Sequence, residues 1–412
     1  MNPPLVPLAI LLLIGPSAGL GAEPTYDPKV LPKGHDYFEL RDGLGNCQRT
    51  FTREKTGRVV FLGGSITAGG AWRQHTCDYL TRKFPETKFE FINAGIGSMG
   101  SVPHAFRLER DVLSQGPVDL LFVEAAVNDS SNIPQQPELM LRGMEGVVRH
   151  LRLVSPRTDI VHLHFVMEPH VEDYRAGREP DSISRHERVA VAYGNPSLNL
   201  AREVTDRMDA GEFTWADDFK NLHPSPFGHR LYANSVARML DAAFAGPIAA
   251  EAKEHPLPAP LDARSYVKGR FGDIAQAKPR RGFALVPAWE PDAEEKQPDG
   301  KPVGVREGFV KVPALVGTEP GAEFEFSFEG TGCGLFITSG PDSGRIEFSL
   351  DGGPWRTLDT QVRWSRALHL PWALILDDQL KDGPHTANVR ISATRDPRAT
   401  GTALRVFHLL LN

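Results

Sequence analysis

The sequence predicts two domains: an α/β domain whose parallel sheet is covered by helices on both faces, and after it an all-β sandwich. Three observations carry this. From Gly57 to about Ala245, short apolar runs alternate with stretches of helical periodicity, the pattern of successive βαβ units. Residues 246–262 are rich in Pro and Ala and interrupt that pattern. Beyond them, alternating runs such as Phe324, Phe326 and Phe328 in EFEFSFEG are separated by turn signals at Gly340-Pro341-Asp342, Asp351-Gly352-Gly353 and Asp382-Gly383, the spacing of an antiparallel sandwich. A length of 412 residues agrees, because it exceeds what one hydrophobic core usually organises. The expected boundaries are 23–245 for the first domain, 246–280 for a linker or wrapping segment, and 281–412 for the sandwich.

Taken in order, the chain opens with MNPPLVPLAILLLIGPSAGLGA, an apolar run from Leu5 to Ile14 followed by small residues. Too short to span a bilayer with stop-transfer flanks, residues 1–22 read as a signal peptide, with a secreted or periplasmic location. No Lys or Arg precedes the run, so an uncleaved N-terminal anchor is the competing reading. Strands are expected at Val59–Leu62, Phe89–Ile92, Leu120–Val123, Ile160–Val166 and Ser197–Leu200. Helical spacing joins Met140, Met144, Val147, Val148 and Leu151, and it returns at Leu231–Leu240 after Pro226. Between these, the charged stretch Glu168–Ser184, with Pro169 and Pro180, reads as a long loop at the rim of a pocket.

Composition excludes several classes. A net charge of −6 without a basic cluster argues against a nucleic-acid partner. Three cysteines make no disulfide framework; Cys47 and Cys77 are the pair that export would allow, and Cys333 reads as a small buried hydrophobe. No pair of histidines at metal-binding spacing joins a third ligand, there is no CxxC, and the Gly63-Gly64 turn lacks the lysine of a phosphate loop. No metal or other cofactor is therefore expected.

The chemistry candidates lie after successive strands, where open α/β sheets bind ligands. Ser65 follows the first strand in FLGGSITAGG, a setting that suits a tight turn as well as a nucleophile. After the second strand, Asn93-Ala94-Gly95-Ile96-Gly97-Ser98 can turn backbone N–H groups toward a ligand or simply start the helix expected at Pro103–Leu113. After the third, Glu124-Ala125-Ala126-Val127-Asn128-Asp129 places an Asn whose amide can donate to an oxyanion or cap a loop. Last comes His223 in NLHPSPFGH, just before a helix for which Ser225 is the N-cap and Pro226 the first residue. The remaining histidines have plainer readings: His162 and His164 as strand residues, His186 as helix surface, His229 as a helical residue and the weaker base, and His75 and His104 as isolated.

Together the four blocks resemble the SGNH hydrolases, the GDSL-type esterase superfamily, over roughly residues 57–245. The resemblance implies a flavodoxin-like three-layer α/β/α fold and ester hydrolysis through an acyl-serine. It assigns Ser65 as nucleophile, His223 as base, and the Ser65 N–H, the Gly97 region and the Asn128 side chain as the oxyanion hole. The chain departs from the family in three places. Gly63-Gly64-Ser65 stands where Gly-Asp-Ser is usual, Ala126 replaces a glycine, and Lys220 occupies the position of the acid three residues before the histidine. A lysine cannot accept the imidazole N–H. Asp218, upstream of it, is the carboxylate assigned to that role; Asn221 or a backbone carbonyl would be the alternative.

Trp72 and Arg73 follow the serine and read either as pocket lining or as the first turn of a helix. In the sandwich, Trp355, Trp364 and Trp372 read as a glycan platform or as core, and His369 and Trp372 as residues that lean over the active site from the second domain. The resemblance implies a secreted serine esterase acting on short acyl esters such as acetyl, on carbohydrate. A catalytically impaired glycan-binding protein and an O-acyltransferase are the alternatives.

Overall fold

The computed structural model describes residues 27–412 apart from 293 and 298; the expected signal peptide lies outside the described residues. The first domain holds a six-stranded sheet of β1 (Phe38–Glu39), β2 (Thr56–Gly63), β3 (Lys88–Gly95), β4 (Leu120–Val123), β5 (Asp159–Leu163) and β6 (Ser197–Leu198), in the order β1-β6-β5-β4-β2-β3. All pairs are parallel except β1 with β6. Buried runs such as Val59-Val60-Phe61-Leu62 suit strands covered on both faces.

Without the short edge strand β1, the order is that of a flavodoxin-like sheet. From β2 the chain moves outward to β3 and then returns to the other side of β2 at β4. That reversal opens a crevice at the carboxyl ends of β2 and β4, the usual ligand site of such sheets.

Helices fill the crossovers. The helix Pro137–Val154 buries Met140, Met144, Val147, Val148 and Leu151, and Pro226–Ala243 buries Leu231, Val236, Met239 and Leu240. One expectation fails here. Residues 168–184 form the helix Glu168–Arg175 and the start of a second, Asp181–Ala192, rather than a long loop. Pro169 occupies the first turn, where its missing N–H costs nothing, so the proline read as part of a loop starts a helix.

The second domain is a sandwich of two antiparallel sheets. One has the order β15-β12-β17-β10-β9, with β7 added on β17: β7 (Arg270–Gly272), β9 (Phe283–Trp289), β10 (Val312–Gly317), β12 (Cys333–Ser339), β15 (Leu370–Asp377) and β17 (Leu404–Leu411). The other runs β14-β13-β16-β11-β8: β8 (Lys278–Arg281), β11 (Glu323–Gly330), β13 (Arg345–Leu350), β14 (Arg356–Asp359) and β16 (Gly383–Ile391). Phe324, Phe326 and Phe328 all point into the core between the sheets. Strands β7 and β8 already lie in residues 270–281, upstream of the position where sequence composition placed the start of the sandwich.

The segment between the domains is strapped to the first. Arg152 and Arg149 donate to the carbonyls of Pro256 and Pro258, His255 meets Asp159, and Glu145 accepts the N–H groups of Leu261 and Asp262. The domains then share one apolar cluster. Val60, Leu62, Val102 and Phe106 of the α/β domain are continuous with Tyr266, Trp289, Phe309, Phe336 and Phe407 of the sandwich side. An interface that is itself hydrophobic core holds the domains in fixed relation, unlike a polar interface that permits hinge motion. Cys47, Cys77 and Cys333 are free and buried, so Cys47 and Cys77 do not pair. Among the described residues, no helix is long and apolar enough to cross a membrane.

Candidate active site

Ser65 opens a one-turn helix, Ser65–Ala68, directly after β2. Its N–H is among the first-turn donors that a helix leaves without an internal partner. The Ser65 hydroxyl lies 2.7 Å from Nε2 of His223. His223 ends an ordered loop rather than a floppy one. The single turn Trp215–Phe219 precedes it, Phe219 is fully buried, and Lys220 closes the turn at φ 83°. The Asn221 side chain accepts the His223 N–H at 2.8 Å, and Ser225 caps the following helix with Pro226 in its first turn, as the sequence leads one to expect.

Three side chains pin the nucleophile turn from below and beside. The buried Glu124 carboxylate accepts the Gly64 N–H at 2.6 Å and the Thr67 hydroxyl at 2.8 Å. Asn93 donates to the Ala68 carbonyl at 3.0 Å. Arg107, wholly buried, donates to the carbonyls of Ala94 and Gly63 at the ends of β3 and β2. Burial lifts the Glu124 carboxyl to about 7, against the pull of its bonds to Thr67 and Gly64.

The other wall is the turn Ile96–Met99, closed by Met99 N–H to Ile96 carbonyl at 3.3 Å, with Ser98 at φ 70°. Positive φ at the third position is what a type II turn demands. Asn132 fixes the turn through the Ser98 carbonyl at 2.9 Å. Asp129 receives the first N–H of the next helix, at Ser101, at 2.9 Å, a favourable place for an anion. His186 backs Asp129 at 2.9 Å and is fully buried, which corrects its reading as helix surface. Asn128 sits on the short helix Ala126–Asn132 after β4, and its side-chain amide makes no hydrogen bond among the described residues. Its oxygen faces Gly64: a Cβ there would lie 2.0 Å from Asn128 Oδ1. The space that an aspartate would take in Gly-Asp-Ser is thus filled by Asn128.

The structure brings Ser65 and His223 together directly, with Asn128 against the serine's turn and Gly97 in the facing turn. It does not bring Asp218 to His223. The Asp218 carboxylate accepts the N–H and hydroxyl of Thr214, which caps the Trp215–Phe219 turn. Among the described residues no carboxylate hydrogen-bonds to His223. Burial and the charge of Arg306 hold the imidazole below its ordinary range.

Arg306, from the loop between β9 and β10, is the residue sequence reasoning missed. Its Nε and Nη2 donate to the Ser98 hydroxyl at 3.3 and 3.0 Å. A Cβ on Gly97 would lie 3.0 Å from Arg306 Nε, so any side chain there would press the guanidinium back by a few tenths of an ångström. No local pattern in the sequence announces a contact across two domains. Glu124 was legible in principle, as a carboxylate at the end of a buried strand with no surface reason to be there.

Trp72 is core: it is 1% exposed, donates to the Ile66 carbonyl and packs edge-on against Phe61 and Phe165. His369 is buried against Trp289 and bonded to Glu295 at 2.6 Å, so it does not reach the serine. Trp355 and Trp364 are partly exposed under Arg390 and Arg363. Trp372 lines a cleft of about 370 Å³ between the domains, together with Ser98, Asn132 and Gln136 on one side and Gln361 and Arg363 on the other. Neither Ser65 nor His223 lines this cleft; it adjoins their site at the Ser98 turn.

Comparison with known proteins agrees with this fold. The GDSL-like Lipase/Acylhydrolase family matches residues 61–231. The chain is similar in fold to the crystal structure of a two-domain esterase (CEX) active on acetylated mannans, at 21% identity and a TM-score of 0.71, over 91% of this chain and 98% of that one. The same esterase co-crystallised with mannopentaose gives 20% identity and a TM-score of 0.68 over the same shares. No curated protein matches the sequence. Residues 61–231 are a GDSL-like lipase/acylhydrolase domain, and the chain is a carboxylic ester hydrolase.

Proposed function

We propose that the protein is an exported serine esterase that removes short acyl groups, acetyl above all, from carbohydrate. The observation that carries the reading is the 2.7 Å contact between the Ser65 hydroxyl and His223 Nε2 at the reversal point of the sheet. A serine hydroxyl is a weak nucleophile until a base takes its proton. In this reading His223, neutral at pH 7, takes it as Ser65 Oγ adds to the ester carbonyl. The tetrahedral oxygen receives hydrogen bonds from the Ser65 N–H, the Gly97 N–H and the Asn128 amide. His223 then gives the proton to the departing sugar oxygen, leaving acetyl on Ser65. Water, deprotonated by the same imidazole, releases acetate and returns the proton to Ser65.

With Asp218 committed to Thr214, the base works as the second member of a Ser–His dyad, oriented by its loop rather than by a carboxylate. A dyad lacks the stabilisation of the imidazolium that an aspartate provides. That absence is also what favours the competing reading, a glycan-binding protein on a hydrolase scaffold. The acetylated-carbohydrate assignment draws on the two-domain likeness, which extends over both domains of the mannan esterase, and on the cleft with Trp372 beside the site. Residues 1–22 supply the export signal in this reading.

Acetate release from acetylated mannan, acetylated xylan and an aryl acetate tests it. Release from at least one glycan at a rate above that of the aryl ester is expected. Aryl acetate turnover without release from any glycan would refute the carbohydrate assignment, and no turnover of any ester would favour the binding protein.

A further inference from the structure

Arg306 is placed with care by its own domain. Its loop is tied at one end by backbone bonds of Gly304 with Ala367 and His369, at 2.9 and 2.8 Å. At the other end Phe309 is 5% exposed and packs against Phe336 and Phe407 in the cluster shared by both domains. The loop is further closed by Phe309 N–H to the Arg306 carbonyl. Between these anchors the side chain crosses to the α/β domain and lies on Gly97 and Ser98.

The guanidinium is half-buried, and burial alone pulls its pKa down, with no carboxylate to offset the cost. Among the described residues it has no ion-pair partner. A charge removed from water without a partner is expensive, and such groups gather at functional sites. A residue kept only to join two domains would be cheaper as an apolar side chain, like its neighbour Phe309.

We propose that Arg306 is a positioning residue of the esterase site, by which the sandwich domain fixes the Gly97–Ser98 turn and sets a permanent positive charge beside His223. The inference rests on the esterase reading above. Two consequences follow from one side chain. Through Ser98, the guanidinium orients the turn that presents the Gly97 N–H to the oxyanion, and its charge favours that oxyanion. At His223 the same charge opposes protonation, so the imidazole stays a free base without a carboxylate to hold it. The titratable and charged groups around His223 agree: Arg306 from the sandwich, His229 from the helix that follows, and His75 behind His229. No carboxylate from its own loop or from the elements packed against it acts on it.

The test compares wild type with R306Q and R306K by two readouts, kcat on an aryl acetate and the NMR titration of the His223 imidazole, assigned with H223Q. R306Q is expected to lose at least tenfold in kcat while its His223 midpoint rises. R306K, which keeps the charge but not the planar two-nitrogen contact with Ser98, is expected to hold the midpoint near wild type and still lose kcat. A folded R306Q with kcat within twofold of wild type and an unmoved midpoint overturns the proposal. Should R306Q fail to fold, S98A removes the hydroxyl and leaves the charge. It is expected to lower kcat several-fold with no change in midpoint, and unchanged kcat would overturn the positioning role. Because the titration needs no turnover, an inactive wild type would sink the esterase reading while the His223 midpoints still decide the placement of Arg306.

Discussion

Gly64→Ala is a minimal probe of the oxyanion hole, because the structure says what one methyl group would do. The new Cβ would lie 2.0 Å from Asn128 Oδ1 and 3.3 Å from the Met99 carbonyl, where ordinary contact begins at 3.4 Å. The backbone oxygen needs to yield only slightly, so the amide of Asn128 is what moves, by more than an ångström. The fold tolerates this, since Asn128 is partly exposed and its side chain makes no hydrogen bond among the described residues. Catalysis does not: displacing a catalytic group by about 1 Å costs about 10²-fold, and losing one oxyanion donor outright costs about 10²–10³. The expected loss in kcat is therefore about 10²-fold, or about 2.7 kcal/mol of transition-state stabilisation. KM should change little. The double variant G64A/N128A should be no worse than N128A, because both changes remove the same interaction. Steady-state kinetics on an aryl acetate measure all three. G64A with wild-type kcat, or a double variant in which the two losses multiply, would refute the assignment of Asn128.

Three further outcomes follow from the same geometry. Glu124 titrates near 7 when folded against 4.5 when free, so the folded state holds its proton over a range where the unfolded chain has lost it. Stability is then greatest below pH 4.5 as far as this group is concerned and falls by on the order of 2–3 kcal/mol as pH rises toward 7; denaturant melts of E124Q should lack that slope, and parallel curves for the two proteins would contradict it. D218N should leave kcat within a few-fold and cost about 1 kcal/mol of stability through Thr214, whereas a loss above 10²-fold with unchanged melting would restore Asp218 as the acid. W72A should destabilise by about 3–5 kcal/mol as a core truncation, and a folded W72A altered only in substrate preference would instead make Trp72 a pocket residue.

What the sequence made legible was whatever rests on local pattern. Parallel strands, buried on both faces, appear as continuous apolar runs, and Leu120–Val123 was bounded correctly for that reason. Ser65, Gly97, Asn128 and His223 were singled out because each follows a strand or precedes a capped helix, in an order that resembles a known family. Features set by three-dimensional neighbours were not legible. Pro169 read as a loop residue because a proline that starts a helix and one that ends it look alike without the register of the next turn. His186 read as surface because nothing nearby in sequence reveals Asp129 across the helix. Asp218 lay at a plausible distance along the chain, but the backbone turns it toward Thr214, whose cap requires an acceptor. Arg306 depends on the docking of two domains through a shared apolar cluster, and no spacing within either domain encodes that.

The central claim is that Ser65 is a nucleophile activated by His223. A fluorophosphonate probe, followed by peptide mass spectrometry, tests it most directly, because the probe reacts with an activated serine whatever the natural ester is. The account predicts a single adduct on Ser65 in the folded wild-type protein, absent in S65A and strongly slowed in H223A. Folded wild type that takes no label, or that takes it on another serine, would contradict it.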